Sequence, residues 1–355
     1  MKAFKRIALA FGLAALIGGQ GAMAQGALDA HSKQLVDAAL KEGQLNYWDA
    51  VIQPHTADDL VAAFRKRYGL PASFQVHVTG MSPSNLVNRL QQELMANRLT
   101  VDAASVASLP LAYNYAKTKK IMQYDSPEYA HYGKIFDAHF GLKGYFAFNG
   151  AYAFVPMWDP KKNDFKGKTW EDVLAALKTG RFSVGNGATS DSTISTYIGL
   201  RKALGLEYMK KLAAKKPKFL SKSETIASRV ISGEDLMAFM GMATRAYQFN
   251  KKGANLKYLM PAEGIVLLPQ ASFIMAAAAH PAAAKLWIDF MLSEEGQEIL
   301  VKDEAMISGR GGFKSPIPDY SPAIDNLHLI NVDWAKVSLA ELQSARAEWD
   351  KLFGQ

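Results

Sequence analysis

The sequence predicts a two-lobed α/β protein, each lobe a mostly parallel sheet flanked by helices, the two joined by a two-strand hinge. Three observations carry this expectation. The first half alternates short apolar strands with helices, the rhythm of a parallel sheet with helical crossovers. Two long apolar stretches, residues 145–158 and 264–275, are each long enough to pass from one lobe to the other. Finally, the roughly 330 residues left after a leader is set aside exceed what a single core usually supports.

The elements follow in order. Residues 32–41 read as a helix stopped at Gly43, and residues 44–48 as a short buried strand. A helix over 57–68 puts Leu60, Val61 and Phe64 on one face, with Gly69 and Pro71 ending it. Residues 74–78 alternate as a second strand. Ser82 and Pro83 then supply an N-cap and a proline at the first helical position, for a helix reaching about Asn97. Residues 101–106 make a third strand. After the first long apolar stretch, Thr169 and Asp172 open a helix by the capping-box pattern, ending at Gly180. Helices are expected over 190–204, terminated by Gly205, and over 223–231, closed by Gly233, with a strand at 236–240. The second long stretch returns the chain. A helix over 282–291 then turns Leu286, Trp287, Phe290 and Met291 inward.

The N-terminus bears on location. Lys2, Lys5 and Arg6 precede an apolar run over 7–17, and Ala22-Met23-Ala24 precedes Gln25. A basic region, a short apolar core and an A-x-A site describe a cleavable secretory signal, cut after Ala24. The run is well short of the ~20 apolar residues of a spanning helix. The chain has no cysteine, so disulfides, thiolate sites and a lipid-anchoring cysteine are excluded. A freely diffusing secreted protein of this kind suits the periplasm. Removing residues 1–24 takes away three cations and no anion, leaving 38 basic against 33 acidic residues, a net +5. This mild excess suits anionic ligands. The cluster Lys210, Lys211, Lys215, Lys216 and Lys218 has only Phe219 beside it, so it reads as a solvated helix end and no nucleic-acid partner is expected.

Motifs of catalysis are missing. The seven histidines show no H-E-x-x-H spacing, and no G-x-S-x-G elbow occurs. Gly185-Asn186-Gly187 lacks the third glycine of a dinucleotide loop, and Lys162 stands where a phosphate loop ending in Gly167-Lys168-Thr169 needs a glycine. The chain therefore reads as a non-enzyme, with no cofactor and no metal site. A triad assembled from distant residues and a secreted adhesive protein are the alternatives, and turnover or the lack of ligand-induced compaction would reveal them.

Four stretches carry a family resemblance. They are Ala38-Ala39-Leu40-Lys41-Glu42-Gly43-Gln44-Leu45, then Gln92-Glu93-Leu94-Met95-Ala96-Asn97-Arg98 with Asp102, then Val230-Ile231-Ser232-Gly233-Glu234. The fourth joins Pro261-Ala262-Glu263-Gly264 to Ala283-Ala284-Lys285-Leu286-Trp287-Ile288-Asp289-Phe290-Met291-Leu292-Ser293-Glu294-Glu295-Gly296-Gln297. From about Ser32 to Pro316 the chain resembles the iron(III)/thiamine-type extracellular solute-binding proteins of ABC importers. The resemblance implies the type II periplasmic binding-protein fold, a small-molecule ligand, an inner-membrane ABC permease as partner, and a monomer. The expected division is a signal over 1–24, one discontinuous lobe from 25–150 with 265–355, and a second lobe over 151–264.

Ligands of open α/β sheets lie outside the carboxyl ends of the strands. That rule places Trp48, Asp49, Gly80, Met81, Ser82, Ser105 and Ser108 at the cleft from one lobe. From the other it places Asn186, Thr189, Ser190, Thr193, Met242, Thr244 and Arg245. Helix starts at Ser82 and Ser190 suit an oxyanion, or the two serines are simply N-caps. Arg245 could clamp a carboxylate or phosphonate, or lie in a surface salt bridge. Trp48 could stack on a ligand or pack in the core. Whether Arg310 also faces the cleft is left open. The iron-binding branch that the chain resembles carries adjacent tyrosines near the positions of Ala243 and Thr244 here, and no Tyr-Tyr pair occurs in the chain. The expected ligand is thus a small organic anion such as a carboxylate, phosphonate or phosphate ester, with ferric iron, thiamine or a polyamine as alternatives.

Overall fold

A computed structural model describes residues 28–354. The expected signal and its cleavage site lie outside the described residues. The chain order begins α1 (Ala30–Glu42), β1 (Gln44–Asp49), α2 (Pro54–Tyr68), β2 (Gln75–Gly80), α3 (Pro83–Met95), β3 (Ala103–Val106), α4 (Leu109–Lys117) and α5 (Gly133–Asp137). The long strand β4 (Ala147–Trp158) leads to α6 (Trp170–Ala176), β5 (Phe182–Gly185), α7 (Asp191–Ala214), β6 (Lys218–Leu220), α8 (Ser223–Ser232), β7 (Met237–Met242), α9 (Ala243–Asn250) and β8 (Lys257–Tyr258). The strand β9 (Leu267–Ile274) returns to α10 (Pro281–Leu292), α11 (Glu294–Glu304) and α12 (Leu339–Phe353). Among the described residues no helix is long and apolar enough to cross a membrane.

The strands lie in the order β2-β1-β3-β9-β4-β7-β5-β6, with β8 on β4. The order contains two parallel triads. In one, β1 pairs in parallel with β2 and β3, and in the other β5 pairs in parallel with β6 and β7. Between them run β9 and β4, antiparallel to each other and to their flanking strands. The two long apolar stretches are therefore the strands shared by both halves, and every residue of β4 and β9 is buried. Proline in a central strand removes a ladder hydrogen bond. Pro156 falls within the register shift between Val155 and Met157, and Pro269 pairs with Ala151 at the shift between Phe148 and Ala151.

Local chemistry sets the helix ends. Ser82 Oγ accepts from the Asn85 N–H and Ser190 Oγ from the Thr193 N–H, while Thr169 and Asp172 close the expected capping box. Gly43, Gly69 and Gly233 end their helices with left-handed backbone. Gly205 does less than expected. Its backbone (φ 85°, ψ 167°) breaks the hydrogen-bond ladder, but the helix resumes to Ala214 because Tyr208, Met209 and Leu212 find buried positions. The lysines at the end of α7 are largely exposed, Lys210, Lys211, Lys216 and Lys218 among them.

Each half has an aromatic core. In the first, Trp287 of α10 is fully buried with its ring 5.3 Å from Tyr47 and 5.0 Å from Phe64. Leu286, Phe290 and Met291 are buried beside it. In the second, Trp170 lies 5.2 Å from Phe239 and donates through Nε1 to the Gly264 carbonyl at 2.9 Å. The chain after α11 crosses back over the shared strands, with Ile307 bridged to Ala151 and Leu329 to Ile265. It ends in α12, which packs on α7 through Trp349, whose ring is 5.3 Å from Tyr197 and 5.9 Å from Phe219. A Cβ at Gly187 would stand 2.5 Å from Trp349 Cε2, so only glycine lets that loop meet the indole.

Candidate functional site

A cleft of about 1070 Å³ opens where the carboxyl ends of both parallel triads converge. All six strands of the triads send a loop to it. Residues 49–54 close and follow β1, Gly80 to Ser84 close and follow β2, and Ala107 and Ser108 follow β3. Thr189 to Ser192 follow β5, Ser221 to Glu224 follow β6, and Met242 and Arg245 close and follow β7. Tyr152 and Phe154 of β4 form part of the wall.

Of the residues expected from the sequence, Asp49, Gly80, Met81, Ser82, Ser108, Thr189, Ser190, Met242 and Arg245 line this cleft. Five do not. Trp48 precedes Asp49 on β1, and successive strand residues point to opposite faces. Its indole is buried, with the Arg89 guanidinium 4.2 Å from the ring centroid. Ser105 stays within β3, its hydroxyl 2.5 Å from that of Ser272. Thr193 lies in the first turn of α7 with its side chain against Gly185, and Thr244 is buried in α9. Asn186 shapes the turn before α7, Oδ1 accepting from the Ala188 N–H at 2.9 Å. Arg310 is likewise outside the lining, paired with Glu128 at 2.5 Å. The sequence reading missed Ser84, Ser192, Ser221, Lys222, Ser223, Glu224, Asp191 and Tyr152. The serine-lysine segment was hard to see because β6, which delivers it, has only three residues.

The wall is rich in hydroxyls, with eight serine or threonine side chains and the Tyr152 phenol. Its cations are Lys222 and Arg245. Arg245 is already engaged. Nη2 lies 2.6 Å from Glu224 Oε1, Nε donates to Ser223 Oγ at 3.0 Å, and Nη1 donates to Gln248 Oε1. Asp191 is held in turn by Arg346 of α12, which also donates to the Gly187 carbonyl at 2.5 Å. The helices that begin at the cleft with no side-chain cap include α4 at Ser108 and α8 at Lys222. Their first N–H groups and the positive dipole ends thus remain available to an oxyanion.

Two titrating groups belong to this wall. Burial pushes the Tyr152 phenol up to about 12, and its hydroxyl is 2.8 Å from Ser192 Oγ. The Asp49 carboxyl is buried, and desolvation raises its pKa despite bonds from the Ile52 N–H at 2.8 Å, the Val51 N–H at 2.7 Å and the Tyr47 hydroxyl at 3.0 Å. A raised folded pKa means that the protonated acid is favoured in the fold. Its stabilising contribution is complete below the unfolded value of about 3.9 and is lost as pH rises through the folded value. Melting curves between pH 4 and 7 should therefore slope less with pH in Asp49→Asn than in the wild type, and parallel slopes would refute the assignment.

Comparison with known proteins places this geometry. No curated protein matches the sequence. A substrate-binding protein of an ABC transporter from Agrobacterium tumefaciens superposes with a TM-score of 0.73 at 15% identity, covering 87% of this chain and 94% of that one. AfuA from Actinobacillus pleuropneumoniae, solved with fructose-6-phosphate, gives 0.72 at 18% identity over 88% and 99%. Iron-bound HitA from Pseudomonas aeruginosa gives 0.67 at 20% identity over 88% and 98%. At these identities the likeness establishes the two-lobed fold. The model of the bacterial extracellular solute-binding proteins matches residues 59–320, well over half the chain, and the protein belongs to that family.

Proposed function

We propose that this protein is the periplasmic receptor of an ABC importer, capturing a small organic anion between its lobes and delivering it to an inner-membrane permease. The observation that carries the reading is the cleft itself. Six strand ends, a hydroxyl-rich wall and uncapped helix starts face one another beside Lys222 and Arg245. Hydroxyls and helix N–H groups suit the oxygens of a carboxylate, phosphonate or phosphate ester. The lining contains no histidine, and Asp191 and Glu224 are committed to arginines, which favours capture over turnover. The protein acts as a monomer in this reading.

Among the relatives, AfuA was solved with a sugar phosphate and HitA with iron. The cleft here favours the organic anion. Ferric iron wants anionic oxygen ligands, whereas Tyr152 is the one phenol of the lining and burial holds it protonated. Tyr247 turns away, donating to the Lys302 carbonyl at 2.5 Å. A cationic solute such as a polyamine or thiamine is the second reading, for which Asp191 and Glu224 of the wall would have to exchange their arginine partners for the solute.

The expected division gave all of 265–355 to the first lobe; because α12 packs on α7, the proposed lobes are instead 25–150 with 265–338, and 151–264 with α12. Closure would draw these lobes onto the solute, and Ser84 Oγ already donates to the Thr189 carbonyl at 3.4 Å between them. Thermal melting of residues 25–355 against carboxylates, phosphonates, phosphate esters, sulfonates, thiamine, polyamines and ferric citrate tests the reading. A ligand at a thousand times its Kd adds ~4 kcal/mol, so one class of organic anion should raise the melting temperature by several degrees. A shift with ferric citrate alone, or with polyamines or thiamine alone, would overturn the anion assignment.

A further inference from the structure

Arg245 belongs to a hydrogen-bonded chain that runs from α9 through the end of α11 to the start of α2. Its Nη1 donates to Gln248 Oε1, and Gln248 Nε2 donates to Glu304 Oε2 at 3.0 Å. The other oxygen of Glu304 accepts from the Gln53 N–H at 2.7 Å and from Thr56 Oγ1 at 2.6 Å. Glu304 closes α11 and is only 2% exposed. It forms no ion pair among the described residues, so its charge rests on these donors and on the positive end of α2. The Gln248 amide is thereby oriented at both ends, its NH2 toward a carboxylate and its carbonyl toward the guanidinium.

Resting on the anion reading of the cleft, we infer that Glu304 is a positioning residue that sets Arg245 in the cleft through Gln248 and fixes the facing floor loop at the same time. Three successive backbone N–H groups of that floor, those of Val51, Ile52 and Gln53, already point at the protein's own carboxylates, two at Asp49 and one at Glu304. The loop leading into α2 is thus filled from within. The charged end of the solute is directed instead to the opposite wall, where Arg245, Lys222 and the start of α8 lie.

The test is a mutant cycle on the full mature chain, read as binding of inorganic phosphate by the thermal shift it produces. Gln248→Leu cuts the chain to Arg245 while leaving every bond of Glu304 to α2 in place. Glu304→Gln keeps an acceptor for Gln53 and Thr56 but presents an amide NH2 to that of Gln248. Each should weaken phosphate binding roughly tenfold, the double variant should be no worse than either, and neither should matter once Arg245→Ala is present. Wild-type affinity in Gln248→Leu, or equal losses with and without Arg245, would sink this inference alone. If Glu304→Gln fails to fold, Gln248→Leu decides. A wild-type protein unmoved by phosphate and by every organic anion of the panel would overturn the anion reading, and this inference with it.

Discussion

Arg245→Ala is expected to weaken binding of the captured anion by ~2–5 kcal/mol, the usual cost of deleting one partner of a desolvated, hydrogen-bonded charge pair. The guanidinium side chain is 11% exposed, so the ion contact would form largely out of water. Part of the loss would come from reorganisation, because Glu224, Ser223 and Gln248 all lose a donor together. Glu224→Gln separates the two contributions. It leaves the guanidinium in place and removes the carboxylate that competes for it, so anion affinity should hold or rise. Calorimetric titration of the three proteins with the anion that shifts melting provides the measurement. An affinity of Arg245→Ala within twofold of wild type would remove Arg245 from the site.

The second large effect concerns the C-terminal helix. Trp349→Ala should lower unfolding free energy by ~3–5 kcal/mol, as expected when a fully buried tryptophan is cut back to a methyl group. The indole fills the space between Tyr197, Phe219 and Phe353 and presses on Gly187, so the cavity cannot collapse without moving the loop that presents Thr189 and Ser190. Urea unfolding with an unchanged m-value would measure the loss. A change below ~1 kcal/mol would mean that α12 does not dock on α7 in solution, and that the proposed membership of the second lobe is wrong.

Much of the architecture was legible because it rests on local rules. Caps at Ser82, Thr169 and Ser190, glycine stops at 43, 69 and 233, and the unbroken apolar runs of β4 and β9 each follow from a few neighbouring residues. The rule that ligands sit beyond strand ends then found nine lining residues without any contact being known. It failed where one residue decides a face, as at Trp48 beside Asp49, and where a hydroxyl turns inward, as at Ser105 and Thr193. Short elements also escaped it. A strand of three residues carries too little periodicity to announce Ser221, Lys222 and Ser223.

The sequence by itself determined a two-lobed α/β chain, since alternation, apolar run length and capping are properties of contiguous residues, and its four motif stretches carried the resemblance to the extracellular solute-binding proteins. Only the tertiary structure decided that Arg245 meets Glu224 and, through Gln248, the distant Glu304, and that α12 returns to brace the far wall. Apart from Arg245 and Gln248, one helical turn apart, those contacts join residues distant in the chain, and side-chain direction across a packed interface is set by what fills the space beside it, which no local pattern records.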